Sequence, residues 1–271
     1  VVDEVRIQRR PVTRLTGRSS EDFDDTLAVE RALEIRIGGR GLAVTLRTPG
    51  DDEDLATGFL ASEGVVRRAA DITALAPAAA ACDDEPDTIE VTLAPGVTLD
   101  WTRLERHFAA TAACGLCGRA HLESLRAGLV PLAPGPPLSR AGLLALPDRL
   151  RELQHAFRET GGLHAAVWCD GALAPRVARE DVGRHNAVDK VVGARLRAGE
   201  GAAHGVLWVS GRAGAELVLK AARAGLPALA AVGAPSTLAV DLARAAGMTL
   251  VGFLREGRMN VYAGAERIAQ A

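Results

Sequence analysis

The sequence predicts an α/β protein, with a C-terminal part built on a parallel sheet and a smaller α+β part before it. Three observations carry this. From residue 206 the chain runs strand, glycine turn, helix twice over, first in residues 206–224 and again in 228–246. That alternation builds parallel sheets covered by helices. Before residue 130, strands of alternating hydrophobicity are instead joined by tight turns. Between the two parts, Pro131-Leu-Ala-Pro-Gly-Pro-Pro137 places four prolines in seven residues. Proline neither extends a helix nor donates to a sheet, so the junction is expected there, giving units at 1–130 and 138–271.

Residues 5–15 mix β-branched and charged side chains and read as an opening strand, while 19–25 read as a polar, acidic loop. Leu33-Glu-Ile-Arg-Ile37 and 42–48 flank Gly38-Gly-Arg-Gly41 and read as a β-hairpin. After Pro49-Gly50, Asp51 and Asp52 are candidate caps for a helix carrying Leu55, Phe59 and Leu60 on one face, stopped at Ser62-Glu-Gly64. Residues 88–93 alternate again as a strand. Residues 101–110 suit a short helix leading to Cys114-Gly-Leu-Cys117-Gly118.

Past the prolines, 141–160 form one expected helix with Leu143, Leu146, Leu150, Leu153 and Phe157 on its apolar face, closed by Gly161-Gly162. A hairpin follows, with strands at 163–169 and 172–178 about an Asp170-Gly171 type I′ signal. Residues 179–185 read as a polar loop and 186–197 as a helix ending at Gly199. After the two repeated units, 248–255 and 258–262 read as an edge hairpin turning at Glu256-Gly257.

The totals exclude some classes. With 48% hydrophobic residues in 271 the chain can bury a core unaided. A net charge of −2 gives no field for general nucleic-acid binding. The apolar runs are all shorter than the roughly 20 residues that span a bilayer. Four cysteines, Cys82, Cys114, Cys117 and Cys169, do not make a secreted disulfide framework, so a reducing cytosol is expected.

Cys114 and Cys117 stand where a glycine-rich loop gives way to a helical-looking stretch, beside Arg119. A helix N-terminus and a nearby cation favour the reactive thiolate. The spacing equally suits a structural pair, half a zinc site or a dithiol switch. A deaminase-type zinc site lacks its signature, since His164-Ala-Ala has no glutamate two residues on. Cys169, in a Trp-flanked strand, reads as core.

In open α/β sheets ligands gather at strand carboxyl ends. The turns Ser210-Gly-Arg-Ala-Gly214 and Gly233-Ala-Pro-Ser236 should be neighbours there, able to hold a nucleotide, although turn geometry alone also selects glycine and serine. Glu180-Asp-Val-Gly-Arg-His-Asn-Ala-Val-Asp-Lys190 is either a solvated cap or a pocket wall with His185 as proton carrier and Arg184 and Lys190 as anion contacts. Arg255 and Arg258 face each other across a turn and suit a phosphate, or simply a surface hairpin.

These stretches, with 47–64 and 160–166, resemble the FdhD/NarQ family of formate dehydrogenase accessory sulfurtransferases. The resemblance implies a zinc-free, cytidine-deaminase-like three-layer C-terminal domain and a cytoplasmic homodimer. It implies sulfur transfer from a cysteine desulfurase to molybdenum bis(molybdopterin guanine dinucleotide), carried as substrate, before insertion into formate dehydrogenase. Carried over by motif, Cys114 bears the persulfide with Cys117 as its partner. Phe253, Leu254, Arg255, Glu256, Gly257 and Arg258 match the cofactor-binding stretch. Ser210, Gly211, Arg212 and Gly233 are expected to help hold the guanine nucleotide, Arg212 among its anion contacts.

Overall fold

A computed structural model describes residues 5–82, 85–101, 104, 129–133, 135–200 and 204–269. The expected helix at 101–110 is therefore described only at Trp101 and Leu104, and Cys114 and Cys117 lie outside the described residues.

The chain begins with a two-stranded antiparallel ribbon, β1 (Ile7–Thr16) and β2 (Ser19–Ala28). The acidic stretch expected to be a loop is thus a strand. Its polar residues pair across the ribbon, Thr13 donating to Asp22 at 2.7 Å, while the Arg14 guanidinium lies 4.1 Å from the Phe23 ring centre. Cross-strand pairs of this kind hold a ribbon whose two faces are both wet.

A four-stranded sheet follows, made of β3 (Arg31–Ile37), β4 (Arg40–Arg47), β5 (Ile72–Ala78) and β6 (Asp87–Leu93) in the order β4-β3-β6-β5. β3 and β4 form the expected hairpin, whereas β5, with Pro77 near its end, was not anticipated and takes the sheet edge, where a missing donor is tolerated. Helix α1 (Asp52–Ser62) covers one face, packing Leu55 and Leu60 on Leu33, Ile35, Ile89 and Val91. Asp51 stands at its N-cap but does not cap it: φ is 57° and the carboxylate instead takes a hydrogen bond from Arg6 at 2.5 Å.

The C-terminal part centres on a six-stranded sheet in the order β13-β12-β11-β10-β8-β9. β10 (Gly205–Val209), β11 (Ala228–Ala231) and β12 (Thr249–Arg255) are parallel, as the repeated pattern predicts. β8 (His164–Asp170), β9 (Pro175–Asp181) and β13 (Arg258–Ala263) add antiparallel flanks. The 170–171 turn is longer than a type I′ pair. Leu173 carries the positive φ of 60°, and the Asp170 carboxylate accepts the N–H groups of Ala172 and Ala174. Residues 179–181 belong to β9, not to a loop.

The single helix expected at 141–160 is two, α2 (Arg140–Arg151) and α3 (His155–Thr160). Glu180 causes the restart by accepting the N–H groups of Ala156 and Phe157 at 2.9 and 2.8 Å, which caps a new helix. Helices α4 (Arg184–Arg197), α5 (Ala215–Arg223) and α6 (Thr237–Ala245) cover one sheet face with Val188, Leu217, Val218 and Leu242. On the opposite face α2 packs Leu143, Leu146 and Leu150 over Val167, Val206 and Val251. Finally, β7 (Leu138–Ser139) and β14 (Ile268–Ala269) pair in parallel, tying the C-terminal segment to the end of the proline stretch.

Candidate functional site

Parallel strands β10, β11 and β12 end together, and each continues into a segment singled out in the sequence. The two glycine turns are knitted to one another. Gly233 N–H donates to Gly211 C=O at 2.9 Å, Ala213 N–H to Ala234 C=O at 3.2 Å, and Ser236 N–H to Ala213 C=O at 3.2 Å. Glycine at 233 eases this approach, since a Cβ there would lie 3.0 to 3.1 Å from Arg212 and from the Gly211 carbonyl oxygen, tight enough that the neighbours would have to give by a few tenths of an ångström. Phe253 joins the pair through its N–H, 3.1 Å from Gly233 C=O, and adopts a left-handed φ of 51°. A non-glycine residue held there is strained and reorients the chain leaving β12.

Ser210 locks the turn to the sheet, its hydroxyl accepting the Ala165 N–H at 2.9 Å. Ser236 caps α6 by accepting the Ala239 N–H. Arg212 is exposed beside the two turns. Ser210, Gly211, Arg212 and Gly233 are thus brought together as the order of strands and turns implied, and Phe253 joins them.

The rest of the C-terminal stretch projects beyond this cluster. Arg255 and Arg258 are register partners across the turn, and Glu256 and Gly257 both have positive φ, 53° and 69°. That is the backbone of a type I′ turn. Arg255 stacks toward the Phe253 ring, 5.9 Å from its centre, and Arg258 lies 3.5 Å from Glu256. The Leu254 side chain is wholly buried with Val251 in the core, so only the backbone of that residue faces the hairpin. Arg258 and Gly257 also border a groove of about 440 Å³ with Arg140, Leu144, Met259 and Val261. None of the glycine-turn residues lines that groove.

Lys190 is not an anion contact. It is fully buried, pairs with Asp181 at 2.8 Å and donates to Thr48 C=O at 2.8 Å. Burial, only partly offset by Asp181, lowers its pKa. Asp181 also accepts the N–H groups of Thr48 and Gly183. The charged run is therefore neither a solvated cap nor, at Lys190, a pocket wall; it fastens the segment after β4 to α4. Similar links surround it, with Arg179 and Arg197 on Asp54 and Lys220 on Asp189.

Arg184 and His185 do reach the glycine turns. His185 Nε2 lies 3.0 Å from Glu216 in the first turn of α5, and this hydrogen bond is the main reason the Glu216 carboxyl sits below its usual pKa. His164, at the start of β8, stands beside Gly211. Burial first, then Arg184 and His185, hold its imidazole below the ordinary range. Glu216 was missed in the sequence; an acid two residues after the second turn glycine was the available signal.

Cys169 is core, as read, and burial pushes its thiol up to about 12. Cys82 is exposed.

The fold is that of an α/β protein whose two glycine turns meet at the carboxyl edge of its main sheet, where open α/β sheets bind ligands. The chain belongs to the FdhD/NarQ family, whose pattern it matches over residues 28–269. It is 51% identical over 271 aligned residues to the Sulfur carrier protein FdhD of Streptomyces coelicolor, covering 97% of this chain and 95% of that protein. The Sulfur carrier protein FdhD of Anaeromyxobacter dehalogenans (strain 2CP-C) is 49% identical, covering 94% and 92%. A crystal structure from Desulfotalea psychrophila, described as a formate dehydrogenase accessory protein, superposes with a TM-score of 0.76 at 25% identity, covering 97% of this chain and all of that one.

Proposed function

We propose that the chain is a sulfur carrier for formate dehydrogenase maturation, taking persulfide sulfur from a cysteine desulfurase and passing it to molybdenum bis(molybdopterin guanine dinucleotide), its substrate. The observation that carries this is near-full-length similarity, about half of all positions, to proteins named as sulfur carriers, in a chain with the Cys114-Gly-Leu-Cys117 pair. The same reading makes the protein a cytosolic homodimer and its three-layer C-terminal part deaminase-like.

The chemistry balances with the two thiols and a cellular dithiol as reductant. Cys114 thiolate attacks the outer sulfur of the donor's persulfide; the new S–S bond forms at Cys114, and the donor cysteine leaves as a thiolate. Cys117 can then attack the inner sulfur of the Cys114 persulfide, releasing hydrosulfide and leaving a Cys114–Cys117 disulfide, which a cellular dithiol reduces. The glycine turns and the 253–258 hairpin serve the substrate's guanine dinucleotide arms, with Arg212, Arg255 and Arg258 as anion contacts.

Mass spectrometry after incubation with a desulfurase and cysteine is expected to find one added sulfur atom on Cys114, and Cys114→Ala to abolish maturation of formate dehydrogenase. Full maturation with Cys114→Ala refutes sulfur carriage. Cofactor binding and maturation that depend on Arg255 and Arg258 but not on Cys114 identify a cofactor chaperone instead.

A further inference from the structure

The β1 and β2 ribbon ends at Ala28, where the segment matching the family pattern begins, and it forms a two-stranded sheet of its own. Two strands alone are marginal in water, and a further layer on an apolar face is what stabilises such a unit. The charges of this ribbon are segregated. β1 carries Arg9, Arg10 and Arg14 and no acid, whereas β2 carries Glu21, Asp22, Asp24 and Asp25 and no base. Little of that charge is paired within the chain. Arg14 and Glu21, both more than half exposed, approach only to 3.9 Å. Arg10 and Asp25 stand opposite each other in the register, yet among the described residues neither forms an ion pair.

Alternation of side chains along the strands puts three register rows on one face: Arg10 beside Asp25, Val12 beside Phe23, and Arg14 beside Glu21. An apolar row is thus flanked by two rows that each hold a cation on β1 and an anion on β2. The rest of the chain meets the other face. A Cβ on Gly162, just after α3, would stand 3.6 Å from the Ala28 Cβ, and Ala28 belongs to the alternate set of side chains with Ile7. Leu27, at the root of the free face, is 40% exposed.

We propose that this face binds its counterpart on a second copy of the chain. A two-fold axis running along the ribbon, between the two faces, lays β1 of one copy over β2 of the other at the same level. Arg10 then meets the partner's Asp25, Arg14 the partner's Glu21 and Val12 the partner's Phe23, each contact made twice, as an isologous interface requires. Charge complementarity selects this occupant, because a wholly acidic or wholly basic partner would satisfy one strand and be repelled by the other. The inference rests on the homodimer reading above and gives that dimer a surface. A face of two ten-residue strands is smaller than a standard interface, so the association is expected to reverse on dilution.

Sedimentation equilibrium of the full chain tests this, with Arg10→Glu and Arg14→Glu together making the face acidic throughout, and Glu21→Lys and Asp25→Lys together making it basic throughout. The unaltered protein is expected to dimerise with a dissociation constant that rises with salt, because exposed charge pairs are screened. Each charge-reversed protein alone is expected to self-associate at least about tenfold more weakly, with its thermal midpoint unchanged. An equimolar mixture of the two should recover the dimer, since the acidic face of one then meets the basic face of the other. Fraying of a like-charged ribbon within a single chain gives no such recovery, so weakening without rescue in the mixture overturns the proposal. A dissociation constant that is the same in all four samples overturns the ribbon as the surface while the homodimer reading stands. A monomer at every concentration removes both.

Discussion

Gly58 of α1 and Gly193 of α4 face each other where the two helices cross, and neither has room for a side chain. A Cβ on Gly58 would lie 1.8 Å from the Asp189 carbonyl oxygen, and one on Gly193 would lie 1.9 Å from that of Asp54. The backbones are therefore in direct contact, and this crossing is where α1 of the smaller sheet is set against the main one. Gly58→Ala or Gly193→Ala must push two backbones apart. Each is expected to cost about 3 kcal/mol, the upper part of the range for overpacking, read as a lowered denaturant midpoint at unchanged slope. A midpoint within experimental error of the unaltered protein would show that the helices cross less closely.

The Lys190 and Asp181 pair closes the same junction from the other side. Both side chains are fully buried, so removing one partner strands the other's charge away from water. Lys190→Met is expected to destabilise by about 3 to 5 kcal/mol, the usual consequence of breaking a buried pair. Lys190→Met combined with Asp181→Asn should recover part of that loss by removing the stranded charge, at the cost of one acceptor, since the carboxylate takes the Thr48 and Gly183 N–H groups on different oxygens and the amide has only one. Chemical denaturation of the two variants checks the order; equal losses would mean the charge itself is not what the site holds.

Thiol reactivity should divide by burial. With Cys114 and Cys117 both replaced by alanine, Cys82 is expected to react with an aromatic disulfide reagent near pH 8 in the folded protein and Cys169 only after denaturant is added. The exposed Cys82 thiol is accessible, whereas the Cys169 thiol is pushed up to about 12 and holds almost no thiolate. Two fast-reacting thiols in the native protein would contradict the burial of β8.

The parts of this molecule that were legible in the sequence are those where local chemistry and fold agree. Glu256-Gly257 reads as a hairpin turn and makes one, and two strand, turn, helix units in succession put their glycine turns side by side. The β1 and β2 ribbon was half missed because it has no buried face. With both sides wet, no alternation of apolar residues marks the second strand, and its cross-strand pairs depend on a register the sequence does not display. Lys190 was misjudged for a related reason. A lysine among six ionisable groups reads as surface, and only the approach of the segment after β4, some 140 positions earlier, buries it. Glu180 likewise caps a helix 24 positions before it, which is why one expected helix is two.

His164 offers a pH test of the cluster around Gly211. Its folded pKa is lowered, mainly by burial and then by Arg184 and His185, with Asp181 opposing. An unfolded histidine, by contrast, titrates near about 6.5. As pH falls through that value the unfolded chain takes up a proton that the folded chain refuses. The contribution of His164 to stability is therefore full above the unfolded pKa and is lost as pH falls toward the folded one. Urea unfolding at pH 7.5 and 5.5 should accordingly show the unaltered protein losing more stability than His164→Asn over that interval. Titration of Glu216 is common to both proteins and cancels in the difference. An equal loss in the two would mean that the imidazole keeps its ordinary affinity for protons and that burial and the neighbouring Arg184 and His185 do not act on it.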